Sequence, residues 1–479
     1  MNRNLRTALR ACVAAAVVAA VAPGARAQTP LDRSQRPVAP PARPFRLPPV
    51  EMRTLRNGIP VAVIQYHQLP LVSVRAVIDA GPVLEPADRA GLANLVSGML
   101  VEGTTHRTAD QLAQEFAELG TQVRPQDFTT ITRNLDRSLE LMADMLMNPA
   151  FPEPALARIK ANNLANLRRL REQPGFLADR VFNSVLFGAG HPYARVATEQ
   201  TVGAVTRADL VSFHSDWYRP QNVKLVVVGD ITPDQAVARL ERAFGAWAPG
   251  GKTARYDVPA PRPAAATTIY LLDRPNSPQS TVRIGQVGPP RDTPDYFAIE
   301  TMNTVFGGLS GARLNSNLRE RHAYTYGAGT GLQWRRVPQV STIRGQSDIV
   351  AAKTDSAIVE WLGEIRGIRG ERAITDAELS AARNNRVAGL PLRFETITQV
   401  AFQVADLLQN GVPTDFYNSY AENIGRLGSA DLAAAATRYL DPQKSVIVVV
   451  GDRKVVEPGL RALGMPVVVV DENGNPVAS

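Results

Sequence analysis

Cysteine is all but missing from this chain: Cys12 is the single one in 479 residues. It lies within the first 27 residues, which read as a removable leader. The mature chain then offers no disulfide, no thiolate metal ligand and no cysteine nucleophile. Histidine is nearly as scarce. The five are His67, His106, His191, His214 and His322, and none stands at helical or zinc-finger spacing from another, which argues against a histidine metal site. No G-x-S-x-G elbow occurs, so a serine hydrolase would lack its nucleophile turn. Long apolar runs are absent too. "ACVAAAVVAAVA", from residue 11, is too short to span a bilayer. It follows three arginines and precedes the small-x-small "ARA" that ends at Ala27, the pattern of a secretory signal peptide. Cleavage after Ala27 predicts a periplasmic or secreted protein with no membrane span. Losing Arg3, Arg6, Arg10 and Arg26 takes the formal charge from +8 to +4. That excess is too weak and too dispersed to imply nucleic acid as a partner.

What is present divides the chain. Residues 28–46 are Pro-rich without apolar periodicity and read as an extended leader. Residues 249–267 are the comparable interior break and read as a linker. Between them lie 47–248 and 268–464, each of ordinary domain size, with a tail at 465–479. The halves repeat each other. "WYRPQNVKLVVVGDIT" (217–232) closes the first and "YLDPQKSVIVVVGDRK" (439–454) closes the second. "PLVSVRAVIDAG" (70–81) and "PQSTVRIGQVG" (278–288) stand near their starts. Alternating strands occupy the ends of each half. Helices are expected at 108–119, with Thr108 and Gln111 as a capping box, and near 153–172, 353–368, 374–388 and 394–410. The pattern predicts an α+β fold in two tandem homologous domains, each a sheet covered by helices.

The stretch from Asp88 to Thr104 carries the pattern closest to chemistry. Asp88 is placed to cap a helix whose stripe is Leu92, Leu95, Val96, Met99 and Leu100. Asn94, Ser97 and Gly98 lie away from that stripe at i, i+3 and i+4, the spacing with which zinc hydrolases hold an ion and a base. None of the three is a metal ligand or a base of use. Here the chain resembles the pitrilysin/insulinase family of zinc metallopeptidases, which includes the mitochondrial processing peptidases. Active members carry H-x-x-E-H within G-x-x-H-x-x-E-H-x-x-F-x-G-T. Gly91, the apolar stripe and Gly103-Thr104 match that frame. The resemblance implies that Asn94 and Gly98 replace the histidine ligands and Ser97 replaces the catalytic glutamate. Its third ligand, a glutamate on a later helix, would fall at Ala165 or Asn166 in "NPAFPEPALARIKANNLANLRR" (148–169).

A second resemblance to the same family lies in "GGLSGARLNSNLRERHAYTYGAGTG" (307–331), where Leu318, Arg319, Glu320 and Tyr326 match. The family's arginine and tyrosine, seven residues apart, bind the substrate peptide, which implies that role for Arg319 and Tyr326. His322-Ala323-Tyr324 departs from the usual Gly-Leu. Arg313 reads as a support of the loop, and residues 307–311 as a helix end. The resemblance spans about 47–464, with a mitochondrial-processing-peptidase-like fold. It implies a non-catalytic subunit whose partner bears H-x-x-E-H and zinc, acting together on a peptide substrate. Between Gly120 and Arg137 the chain is shorter than the family pattern. Two alternatives stand beside this reading. One is a structural or peptide-binding pseudo-peptidase with no proteolytic partner, as in the core subunits of the respiratory bc1 complex. The other is an autonomous hydrolase with an unrecognised site.

Overall fold

The computed structural model describes residues 45–477, except 257, 262 and 337–339. The signal peptide and all but the end of the 28–46 leader lie outside the described residues. Residues 44–479 form one unit.

The repeat in the sequence is a repeat in the sheets. Among the described residues the first half builds β1 (Glu51–Thr54), β2 (Pro60–Gln65), β3 (Leu71–Ile78), β4 (Asp127–Ile131) and β5 (Val223–Gly229), ordered β1-β2-β5-β3-β4. The second builds β6 (Thr268–Asp273), β7 (Gln279–Gly288), β8 (Thr325–Arg335), β9 (Val340–Val350), β10 (Val446–Gly451) and β11 (Val467–Val470), ordered β11-β6-β10-β7-β9-β8. The two Gly-Asp strands, β5 and β10, sit at equivalent places. Each runs parallel to the strand on one side and antiparallel to the strand on the other. The fold is α+β, two sheets covered by helices.

Both central strands read as unbroken apolar runs because both of their faces are buried. On β5, Leu225 and Val227 pack against helices of their own half. Val226 and Val228 pack against Val400, Ala401 and Val404 of the Ile397–Asn410 helix, which belongs to the second half. The exchange is reciprocal. Val446, Val448 and Val450 of β10 are covered by Leu177, Ala178, Val181 and Phe182 of the Pro174–Phe187 helix, which belongs to the first half. The approach is close: a Cβ on Gly285 of β7 would lie 2.9 Å from the Phe182 ring. Each half therefore supplies one wall of the other's core.

Two regions gain detail beyond the reading of the sequence. Residues 465–477 of the tail are tied to the fold. Val467–Val470 adds to the second sheet beside β6, and Glu472 pairs with Arg171 while Asn473 accepts from Arg180. The shortened 120–137 segment still forms a strand, β4, but of five residues. At its place the second sheet carries the two eleven-residue strands β8 and β9. The first sheet thus has one strand where the second has a hairpin, and β4 pairs with β3 only from Leu71 to Arg75.

Candidate functional site

The motif helix runs Leu92–Met99. Its stripe is buried as expected: Leu92, Leu95, Val96, Met99 and Leu100 all lie in the first core. Its cap is not Asp88, which lies in a separate short turn, Ala87–Arg89. Glu85 caps it instead, accepting from the backbone N–H of Gly91 and of Ala93 at 3.0 Å each. Gly91 has φ 100°, a turn that brings the chain back over Glu85. Burial pushes the Glu85 carboxyl above its usual range, against the lowering effect of those two bonds.

Asn94 and Gly98 are exposed and Ser97 is half-buried. Asn94 and Ser97 line a cleft of about 410 Å³ whose other walls are Gln126 and Phe402, Asp406 and Gln409 of the Ile397–Asn410 helix. Gln126 Nε2 donates to Ser97 Oγ at 2.9 Å. The Arg75 guanidinium closes one end, 3.6 Å over the Phe402 ring and paired with Asp127 at 2.9 Å. Ala165 and Asn166 are exposed on the Glu153–Arg171 helix, and Arg169 donates to Asn166 at 2.7 Å.

The donor set does not fit zinc. An amide, a hydroxyl and a bare backbone stand where two imidazoles and a carboxylate would be needed. Among the described residues no three His, Cys, Asp or Glu side chains are grouped to hold a metal ion. The histidines are engaged elsewhere. His67 pairs with Asp230 and His106 with Asp144, both at 2.7 Å. His191 and His214 bond the carbonyls of Pro259 and Leu146, and His322 stacks on Tyr324 beside Glu360.

Arg319 and Tyr326 occupy another place. Arg319 lies in a short π-helix, Ser316–Arg321, of a kind that often marks functional sites. Its half-exposed guanidinium pairs with neighbouring Glu320 at 3.3 Å. Asn317 anchors the turn from below, donating to Glu360 and to Glu364 at 2.9 and 2.7 Å. Tyr326 sits where the β8/β9 register shifts between Thr325 and Ala328. That bulge turns its ring outward, to 89% exposure. Arg313 contrasts with both. It is buried, held by Glu378 at 2.6 Å and bonded to the carbonyls of Arg372 and Ala373. Gly307 ends the Tyr296–Phe306 helix. Arg319 lines a larger cleft, about 900 Å³, on the second sheet. Asn94 and Ser97 thus line one cleft and Arg319 another, Tyr326 lines neither, and the structure does not gather the predicted residues into one site.

The comparisons with known proteins bear on both clefts. The model of the "Insulinase (Peptidase family M16)" domain matches residues 60–186, and that of the "Peptidase M16 inactive domain" matches 204–386. The chain belongs to the M16 peptidase family. The crystal structure of an M16 inactive domain from Pseudomonas fluorescens superposes with a TM-score of 0.76 at 25% identity, covering 84% of this chain and 98% of that one. The "non-peptidase homolog YmxG" of Helicobacter pylori is 23% identical over 407 residues, 83% of this chain and 92% of that protein. An "uncharacterized zinc protease" of Rickettsia felis is 24% identical over 288 residues, 58% of this chain and 68% of that protein. M16 relatives thus carry both kinds of name. Among the described residues of this M16 chain, no helix is long and apolar enough to cross a membrane.

Gln126, Phe402 and Asp406 line the first cleft and Glu85 caps its helix, and none of the four had a signal in the sequence. Gln126 lies outside any motif, and the helix with Phe402 and Asp406 comes from the other half.

Proposed function

We propose that this chain is the exported, non-catalytic subunit of an M16 zinc peptidase. It would supply Arg319 and Tyr326 to the zinc site of a partner chain that bears H-x-x-E-H, for hydrolysis of a peptide. One observation carries the reading. The helix that would hold zinc has no donor for it, while Tyr326 is exposed and Arg319 is half-exposed, with Glu320 as its ion-pair partner on one side. A residue that serves its own fold is satisfied by it, as Arg313 is. A half-exposed guanidinium can give a fork of bonds to a peptide carbonyl or carboxylate. An exposed phenol can donate to an oxygen that gains charge. The partner's zinc would activate the hydrolytic water; this chain's share is to bind and orient the peptide.

The test is a quenched-peptide assay of each chain alone and of the two mixed with zinc. Cleavage is expected from the mixture, with kcat/KM lowered by Arg319→Ala and by Tyr326→Phe. Chelator-sensitive cleavage by this chain alone would sink the reading. The structural alternative predicts instead that adding this chain changes no partner's rate.

A further inference from the structure

Strand β8 places glycine at 327, 329 and 331, and all three line the larger cleft. In the ladders, Gly329 stands opposite Gln346 and Gly331 opposite Arg344, while Arg283 of β7 stands opposite Gln346 from the other side. Residues opposite one another share a face, so the glycines and both arginines belong to one surface. Glycine inside a strand costs stability and packs nothing. At Gly331 packing does not require it, because a Cβ there would meet no described atom within 4 Å. The result is a trough with a bare floor.

Its lining holds three arginines to one carboxylate, with Asp179 beside two of the arginines. Arg283, Arg319 and Arg344 line it, with Asp348 as the carboxylate among the described lining residues. Asp348 already accepts from Thr281 Oγ1 at 2.6 Å. Asp179, on the Pro174–Phe187 helix, serves Arg283 and Arg344 at once through a single oxygen, at 2.7 and 2.9 Å. Burial lowers the Arg344 guanidinium from its usual value; Asp179 opposes that and Arg283 adds to it. Arg283 also gives Nη1 to the Val282 carbonyl at 3.2 Å and Nη2 to the Gly175 carbonyl at 3.4 Å, whereas Arg344 meets Asp179 through Nη1 and has further donors to offer an anion. Ser310, Gln333 and Gln346 supply further polar groups along the trough.

We propose that this trough receives an extended peptide segment through its carboxylates, from acidic side chains or a free C-terminus. The proposal rests on the reading above, that a peptide lies beside Arg319. It is tested without the partner, so complementation can fail while this holds, and the reverse. The full chain is titrated with labelled peptides of equal length, carrying Glu or Gln and ending in a carboxylate or an amide. A carboxylate peptide should bind at least about tenfold tighter than its fully neutral counterpart at low salt, and the gap should narrow as salt rises. A Glu/Gln difference assigns the contact to side chains; an acid/amide difference assigns it to the C-terminus. Arg344→Gln should remove the preference, and Gly331→Leu should block every peptide. Asp179→Asn, which removes the carboxylate that Arg344 faces, should tighten binding of the carboxylate peptide, a gain that misfolding does not mimic. Equal affinity for all four peptides, or unchanged binding in Gly331→Leu, would overturn the proposal.

Discussion

Gln126 Nε2 donates to Ser97 Oγ at 2.9 Å, across the gap where β4 stops short of the end of β3. The contact ties the open face of the motif helix to the residue before β4. Ser97 is held by an amide, Asn94 faces the Ile397–Asn410 helix across the cleft, and Gly98 needs no partner.

Zinc is expected to leave the melting temperature of the natural chain unchanged. The double variant Asn94→His, Gly98→His should gain a zinc-dependent rise of about 3 °C, since two imidazoles one helical turn apart share an ion. Gly98 has room for the added side chain among the described atoms. Thermal unfolding with zinc and with chelator reads both; a zinc-dependent rise in the natural chain would contradict the donor-set argument.

Arg319→Ala and Arg313→Ala should separate function from folding. Arg319 is half in solvent beside Glu320, so its removal should change stability by no more than about 0.5 kcal/mol. Arg313 is buried with Glu378 and two carbonyls, and its removal should cost about 3 kcal/mol. Denaturant unfolding of the two variants checks the order.

Stability should fall in mild acid because of His214. Burial pushes its imidazole from 6.5 down to about 4, against the Leu146 carbonyl that its ring bonds. The unfolded chain then binds a proton that the folded chain refuses, so this contribution is complete above about pH 6.5 and is lost as pH falls toward 4. The loss amounts to about 3 kcal/mol, and His214→Gln should flatten that part of the profile. Unfolding free energy measured between pH 7.5 and 4 would show it.

The two halves should unfold in one transition. Phe182 of the first half is fully buried on the second sheet, and Val400 and Val404 of the second half on the first. Phe182→Ala should cost about 3–5 kcal/mol and lower the whole transition. Residues 45–248 expressed alone should fail to fold, since sheet and helix faces would lie open. Two separate calorimetric transitions in the full chain would refute the interlock.

Much of this was legible in order along the chain. Gly229-Asp230 and Gly451-Asp452 marked the same strand twice, alternation located β3, and its likeness to β3 located β7. The capping box at Thr108 and Gln111 marked the start of the Ala109–Leu119 helix, and Gly120 its end. The loss of zinc donors at Asn94, Ser97 and Gly98 needed only residue identity and helical spacing. Local chemistry also misled: Asp88 looked like the cap, but the left-handed turn at Gly91 brings Glu85 to the helix end instead.

By itself the sequence determined the family frame, the repeat and the residue types at 94, 97 and 98. These depend on which residues are present and how they are spaced along a strand or a helix. Tertiary structure decided which helix covers which sheet, because an amphipathic face carries periodicity but no address. It alone aligned the glycines of β8 with Arg283 and Arg344 on one face, since that alignment depends on the register of strands far apart in the chain.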